Sequence, residues 1–133
     1  MYEIHGWFAL HDSTYESDFE HERALVGQLQ SEPARLELGS GNRVVDLRVL
    51  NGTHVLTTTG MSNHRAGVER DLYRLLDWIA THLPGAYGLL RERDDEPGLA
   101  SGTNAFTVHV PARGQVSLRE DPFLSPAQPI VED

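Results

Sequence analysis

Seven histidines are the residues that most readily suggest metal binding or acid–base chemistry in this sequence. His21-Glu22 begins like the helical zinc motif of metalloproteases, but Leu25 stands where the second histidine ligand belongs. His64 and His82 lie near opposite ends of a predicted helix, too far apart to share one metal ion. The sequence contains no cysteine, which excludes thiolate zinc sites, cysteine nucleophiles and disulfides. We expect neither a metal nor a cofactor, although spacing alone leaves open a metal site assembled from distant segments.

The serines give no sign of a nucleophile, because none lies in a Gly-x-Ser-x-Gly turn. The short segment Gly39–Asn42 precedes a predicted strand and not a helix, so it does not resemble a phosphate-binding loop. Ser62-Asn63-His64-Arg65 is the most polar group at a predicted helix start. Its side chains either cap the helix or bind an anion or oxyanion through Asn63, His64 and Arg65. Capping is the interpretation that the sequence favours.

Carboxylates are concentrated in two short segments. Residues 91–96 place two arginines and four acids at the end of a predicted strand and in the loop after it, and residues 12–22 surround Tyr15 at the start of the first predicted helix. An exposed run with interspersed arginines lacks the apolar pocket that raises the pKa of a glycosidase acid. We interpret both segments as solvated and as candidate surfaces for a cationic partner. The candidate contact residues are Glu92, Asp94, Asp95, Glu96, Asp12, Tyr15, Glu16 and Asp18.

The formal net charge of −9 narrows the choice of partner. Acidic side chains number twenty and basic ones eleven, whereas binding to nucleic acid or to an anionic membrane requires a cationic face. Such a charge favours association with a basic protein, or serves only solubility. Residues 1–6 show neither the basic nor the apolar region of a secretory signal, and no apolar run reaches the roughly 18 residues of a membrane span. We therefore expect a cytoplasmic location.

The periodicity of apolar residues predicts five strands and two helices. Ser17 and Glu20 form a capping-box pair at the start of the first helix, and Gly60–Asn63 is expected to end a strand before the second. Asn51-Gly52 between two strand-like runs is typical of a two-residue hairpin turn. The last strand extends to Leu118 if it continues through Arg113-Gly114. The predicted elements are a strand over 2–11, a helix over 18–30, strands over 45–49 and 55–59, a helix over 68–83, and strands over 87–90 and 106–110.

This order predicts a single α+β domain over residues 1–133 with a mostly antiparallel sheet. The β-α-β-β-α-β-β order matches a split βαβ arrangement with two helices packed on one face of the sheet. The other sheet face is then either solvated or used for contact. Because neighbouring strand residues face opposite sides, one of Trp7 and Phe8 should lie in the core and the other should be partly exposed. Residues 121–133 contain three prolines and are expected to form an extended tail.

Several short motifs occur in an order that resembles one protein family. They are Tyr2–Trp7, Thr59–Arg65, Pro84–Leu90, Arg93–Glu96, Ala112–Gly114 and Asp121–Pro126, with Glu132-Asp133 at the end. In this order and over this length, the chain resembles the immunity protein 7 family of bacterial polymorphic toxin systems. The resemblance implies a small cytoplasmic protein, encoded beside a toxin, that binds the toxin domain and blocks it. It implies no catalytic residues, and the matching Gly6, Gly60, Gly85 and Pro122 look like residues that serve the fold.

Three hypotheses about function follow from the sequence. The first is an immunity protein that neutralises a cognate toxin domain by directing its acidic segments at a basic toxin surface. The second is a small enzyme in which His64, Arg65 and a carboxylate meet in a pocket. The third is a subunit that pairs through the open face of its sheet, and self-association is left open. The resemblance favours the first hypothesis, and the negative net charge argues against nucleic acid or a membrane as the partner.

Overall fold

The computed structural model describes residues 1–13, 15–16, 18–31, 43–62, 68–94 and 106–122. These residues form six strands and two helices. The predicted loop around Gly39–Asn42 and most of the predicted tail, from residue 123 onward, lie outside them. The strands are β1 (Tyr2–Leu10), β2 (Arg43–Leu50), β3 (Thr53–Ser62), β4 (Tyr87–Asp94), β5 (Thr107–Ala112) and β6 (Gln115–Glu120), and the helices are α1 (Phe19–Ser31) and α2 (Val68–His82).

All six described strands belong to one antiparallel sheet in the order β2-β3-β1-β4-β5-β6. β1 lies between β3 and β4, so that β1, α1 and β2 form a crossover that spans β3. This is the split βαβ arrangement that the sequence predicts. α2 then connects β3 to β4 across β1. The predicted α+β fold is therefore confirmed.

Two-residue turns join β2 to β3 and β5 to β6. Asn51 and Gly52 have φ angles of 50° and 80°, as a type I′ turn requires, so the predicted hairpin is confirmed. Arg113 and Gly114 have φ angles of 53° and 76° and form a second turn of the same kind. The segment from Phe106 to Leu118 is therefore a hairpin and not one long strand. Arginine is a weak signal for a position with positive φ, which explains why the sequence pattern left the turn unresolved.

The core lies between the two helices and one face of the sheet. Phe8 of β1 pairs with Leu56 of β3, and both side chains are buried. From Leu72 to Leu83, the apolar stripe predicted for α2 is buried against them. Each fully buried side chain of this size contributes roughly 1.5–3 kcal/mol to folding. The same buried cluster contains Ile4, Leu10, Val26, Leu29, Leu72, Leu75, Leu76, Ile79, Leu83 and Leu90.

The opposite face of the sheet, here called the open face, carries the side chains that alternate with this core. Trp7 is 43% exposed there, whereas Phe8 is 1% exposed, which confirms the predicted division between the two rings. Trp7 pairs with Thr57 of β3 and with Leu89 of β4, so it lies in the middle of the sheet. Other exposed apolar side chains on this face are Val44, Leu50, Met61 and Tyr87.

The prediction that Gly60–Asn63 breaks the strand before α2 is wrong. β3 continues to Ser62, because Gly60–Ser62 pair with Tyr2–Ile4 of the central strand β1. Pairing with a central strand outweighs the poor strand propensity of glycine and serine. Asn63 lies outside the described residues, as do His64 and Arg65.

Candidate functional site

The acidic run at the end of β4 lies in the interior. Glu92, Arg93 and Asp94 are 6%, 7% and 5% exposed, so the expectation of a solvated run is wrong for these three residues. The reason is the position of β4 in the sheet, since it pairs with β1 as far as Asp94 and with β5 on its other side. The remaining acids of the run, Asp95 and Glu96, lie outside the described residues.

The Glu92 carboxylate is the centre of a buried polar network. The Tyr73 hydroxyl donates to Oε1 at 2.7 Å, and the Tyr2 hydroxyl donates to Oε2. Nε2 of His109 lies 3.0 Å from Oε1 and is the third partner of the carboxylate in this network. The four residues belong to β1, α2, β4 and β5, so the network connects the sheet to the helix that covers it.

Glu92 remains ionised in this setting. Burial would raise the pKa of Glu92, but hydrogen bonds from His109, Tyr2 and Tyr73 outweigh burial and hold the pKa below its usual range. A carboxylate with a lowered pKa is a poor general base near neutral pH. Tyr73 and His109 also line a cleft of about 240 Å³ beside β6. We interpret the network as a structural one, because both carboxylate oxygens of Glu92 are hydrogen-bonded to side chains of the protein itself.

Arg93 is likewise engaged within the protein. Its Nε donates to Oε1 of Glu3 at 3.1 Å, and its Nη2 lies 2.9 Å from the same oxygen. Nε2 of His5 lies 2.9 Å from the other carboxylate oxygen of Glu3. The guanidinium carbon is 5.5 Å from the ring centre of Phe106, in the geometry of a cation–π contact. The charges at this end of the open face are therefore satisfied locally.

The second acidic segment, which precedes α1, has its own cap. Oδ1 of Asp18 accepts hydrogen bonds from the backbone N–H groups of Glu20 and His21, at 3.1 and 3.2 Å. Asp18 is therefore the N-cap of α1, one position after the predicted Ser17, which lies outside the described residues. Asp18 and Glu20 are both exposed.

Two histidine–carboxylate contacts attach the segment after β1 to α1. Nδ1 of His21 lies 2.7 Å from Oδ2 of Asp12, and Nδ1 of His11 lies 3.2 Å from Oε1 of the buried Glu22. The backbone N–H of Asp12 also donates to Glu22 at 3.1 Å. Burial would raise the pKa of Asp12, but hydrogen bonds from His21 and from the backbone of Asp18 outweigh it and lower the pKa.

The same segment presents an aromatic side chain to solvent. Tyr15 is 96% exposed, and the neighbouring Glu16 is exposed as well. Among the candidate contact residues, the structure thus brings Tyr15, Glu16 and Asp18 together on the surface. Asp12 lies beside them, with its carboxylate directed at His21.

A cleft of about 370 Å³, here called the sheet-end cleft, lies next to Tyr15. It is formed where β1 ends and β4 begins. The His11 ring stacks on Tyr87 with ring centres 6.0 Å apart, and Trp7 meets Tyr87 edge to face at 6.1 Å. Exposed aromatic surface is therefore continuous from Trp7 on the open face to the cleft. The cleft is lined by His11, Ser13, Tyr15, Gly85, Ala86, Tyr87, Ala112 and Arg113.

Gly85 permits the close packing that forms the floor of this cleft. A Cβ atom at this position would lie 2.1 Å from the carbonyl oxygen of Ser13, which no side chain could occupy without a shift of the backbone. The turn after α2 and the segment after β1 therefore approach each other backbone to backbone. This contact gives a physical reason for the fold-forming role that the resemblance implies for Gly85.

Comparison with known families bears on the hypotheses about function. The model of the immunity protein 7 family matches residues 1–133. The chain belongs to the immunity protein 7 family. Comparison with curated proteins and with solved structures finds no match. Family membership makes the chain an immunity protein of a toxin system.

Within the described part of this immunity protein, no group of three or more histidine, aspartate or glutamate side chains is placed to hold a metal ion. Neither α1 nor α2 has the length and apolar character that crossing a membrane requires.

Sequence reasoning missed the Glu92 network and the ring contacts around Tyr87. One signal for the network was present, since Gly88, Leu90 and Glu92 alternate on one face of β4 and Leu90 is a typical core residue. Extending that alternation would have directed Glu92 inward. The stacking of His11 on Tyr87 had no comparable signal, because the two residues are distant in sequence and meet only through strand pairing.

Proposed function

We propose that this immunity protein binds and neutralises a cognate toxin domain in the cytoplasm of the bacterium that makes both. The observation that carries the proposal is the match to the immunity protein 7 family over residues 1–133. The protein acts by binding and not by catalysis, and its partner is the toxin and neither nucleic acid nor a membrane. The exposed side chains of Glu16 and Asp18 support binding to a protein with a basic surface, although one carboxylate oxygen of Asp18 also caps α1.

The contact surface that we propose comprises Tyr15, Glu16 and Asp18, with Asp12 behind them. Two of these side chains are exposed carboxylates, and Tyr15 extends almost fully into solvent. An acidic surface of this kind speeds association with a basic partner and contributes to specificity. If the toxin is a nuclease, these carboxylates occupy the positions where its active site receives phosphate groups.

Co-expression tests the proposal directly. The toxin domain encoded by the gene beside this one is expressed from an inducible promoter, with and without the immunity protein, and survival is counted. We expect survival only when the immunity protein is present, and no protection against an unrelated toxin domain. Equal killing in both cultures, with the immunity protein soluble and abundant, would remove the proposal.

A titration of the purified proteins separates binding from catalysis. A binding inhibitor abolishes toxin activity at about equimolar amounts, because each toxin domain occupies one immunity protein. An enzyme that modified the toxin would abolish activity at a small fraction of that amount. Protection at strongly substoichiometric amounts would therefore contradict the binding proposal.

A further inference from the structure

β2 is one edge of the sheet, and no strand of the described part of the chain lies outside it. All eight of its residues pair with β3 in one unbroken register, and the strand contains no proline. Proteins commonly protect an edge with a bulge or a proline, because a regular edge can pair with another chain. Three of its apolar side chains are largely exposed, namely Val44 at 64%, Val49 at 52% and Leu50 at 54%. A further strand can therefore add to β2.

The charges of β2 are complementary to those of a second copy of the same strand. Two antiparallel copies related by a two-fold axis at Leu47 place Asp46 of each copy opposite Arg48 of the other. Within one chain, Nε of Arg48 already lies 2.8 Å from Oδ2 of Asp46 on the open face. In the paired strands each carboxylate has an arginine on both sides, and directly opposed unlike charges stabilise a sheet.

The same register also pairs the apolar side chains. Val44 of one copy lies opposite Leu50 of the second copy, and Val45 lies opposite Val49. Directly opposed aliphatic side chains pack against each other and stabilise strand pairing. Residues 44–50 are therefore matched throughout, and the pairing that neutralises the charges of β2 also covers its exposed apolar side chains.

The neighbouring registers lack this match. Only residues on the same face of a sheet can lie directly opposite each other, so the two-fold axis must pass through a residue and moves from one residue to the next. An axis at Asp46 places two carboxylates opposite each other, and an axis at Arg48 places two guanidinium groups opposite each other. Like charges in this position are destabilising. Charge therefore selects the register centred on Leu47.

The other edge of the described sheet, β6, is not complementary to itself. Arg119 and Glu120 are its two charged residues, and they are adjacent in the strand. They therefore face opposite sides of the sheet, and no antiparallel register places one opposite the other. Of the two edges, β2 is the one whose residue order fits a second copy.

We infer that two copies of this chain associate through β2, in an antiparallel pair centred on Leu47 that joins two six-stranded sheets into one. The interface is isologous and uses each β2 edge once, so the assembly closes as a dimer. Seven paired residues span only about 23 Å, and an interface this small gives a dimer that forms at micromolar concentrations or above.

The inference goes beyond the proposed function. The dimer uses the edge of the sheet and not its open face, and none of the β2 residues belongs to the contact surface proposed for the toxin. Both tests below use the full chain without toxin. Their outcome is therefore independent of whether the protein neutralises a toxin domain.

Sedimentation equilibrium from about 10 µM to about 1 mM measures the association of the full chain. We expect a concentration-dependent dimer. Asp46→Arg should weaken the dimer Kd about 10-fold, because it turns two attractive charge pairs into two repulsive ones, and Arg48→Asp should do the same. An equimolar mixture of these two variants should restore association to about the wild-type level, since each like-charged strand then faces the opposite charge.

The control for these variants is Arg119→Asp on β6, which should leave the Kd unchanged. The side chains of Asp46 and Arg48 are 44% and 70% exposed, so both variants should unfold near the wild-type urea midpoint. A wild-type protein that stays monomeric at the highest concentration would overturn the inference. Failure of the mixed variants to associate, or an equal loss of association in Arg119→Asp, would overturn it as well.

A single cysteine tests the register, because the chain contains no other. Leu47 is the residue that lies opposite itself, so Leu47→Cys brings two Cα atoms to about 4.5–5.5 Å, within reach of a disulfide. Val45→Cys is the matched control, since both positions are partly buried on the same face. Its two copies lie four residues apart, roughly 13 Å along the strands, beyond the limit of about 7 Å.

Non-reducing electrophoresis after mild oxidation gives the result. We expect a disulfide-linked dimer for Leu47→Cys and a monomer for Val45→Cys. Urea unfolding of both reduced variants checks that they are folded before oxidation. Equal cross-linking of the two variants, or cross-linking of Val45→Cys alone, would reject pairing in the register centred on Leu47.

Discussion

Glu92 has a different environment in the structure from the one that its position in the sequence suggests. In the sequence it belongs to a run of charges, whereas in the structure it is 6% exposed and surrounded by hydroxyl and imidazole donors. A buried charge is tolerated only when hydrogen bonds replace its hydration. Tyr2, Tyr73 and His109 supply those bonds, so the stability of the protein depends on each of them.

Tyr73→Phe should lower the free energy of unfolding by about 1.5–3 kcal/mol, because it removes one hydrogen bond to a buried charged group and leaves the ring in place. Urea denaturation followed by circular dichroism measures the change. Tyr15→Phe is the matched control, since it deletes the same hydroxyl from a side chain that is 96% exposed. An equal loss in both variants would show that the hydrogen bond to Glu92 contributes nothing.

At the level of elements, the connection from β1 to α1 is held by contacts at both ends. Asp18 caps α1. Within the helix, His21 contacts the side chain of Asp12, and Glu22 accepts a hydrogen bond from the backbone N–H of Asp12. Gly85 then allows Ser13 to lie against the turn that follows α2. The sheet-end cleft is therefore part of the framework of the fold, although it lies at the surface.

Two glycine substitutions should have opposite effects on stability. Gly85→Ala places a methyl group 2.1 Å from the Ser13 carbonyl oxygen and should destabilise the protein by about 1–3 kcal/mol through forced backbone shifts. Gly27→Ala, in α1, meets nothing within 4 Å and should stabilise by up to about 1 kcal/mol through helix propensity. Thermal unfolding of both variants measures the difference. A stable Gly85→Ala protein would show that the close packing against Ser13 is not needed.

At the level of the whole molecule, the Glu92 network links β1, α2, β4 and β5. Loss of its charge therefore weakens contacts in four elements at once, and it should affect global unfolding and not only local opening. The pKa of Glu92 is lowered in the folded state, so the unfolded chain binds a proton more readily. Its contribution to stability is present above the ordinary carboxyl pKa of 4.5 and is lost as the pH falls through the lower pKa of the folded state.

Glu92→Gln should accordingly flatten the fall in stability below about pH 4.5, because the amide cannot take up a proton in this range. Urea unfolding at a series of pH values, for the wild type and the variant, gives the two slopes. Glu120→Gln, at an exposed position, should leave the wild-type slope nearly unchanged. Identical slopes for the wild type and Glu92→Gln would mean that Glu92 does not titrate differently in the two states.

Local patterns in the sequence predicted much of the fold. The stripe from Val68 to Leu83 predicted α2, and Asn51-Gly52 predicted the first hairpin with the correct turn geometry. Both signals depend on neighbours within a few residues. The turn at Arg113-Gly114, the extension of β3 to Ser62 and the inward direction of Glu92 depend on strand pairing between distant segments, and the sequence pattern did not resolve them.

The sequence by itself determined the class of fold, the excess of acidic side chains and the resemblance to a family of immunity proteins, because periodicity, charge and motif order can be read along one chain. Only the tertiary structure decided which acids are on the surface. It buried Glu92 and Asp94 in a central strand and left Glu16 and Asp18 exposed beside Tyr15 and the sheet-end cleft. The physical reason is that burial depends on neighbours brought in by strand pairing, and those neighbours are far away in the sequence.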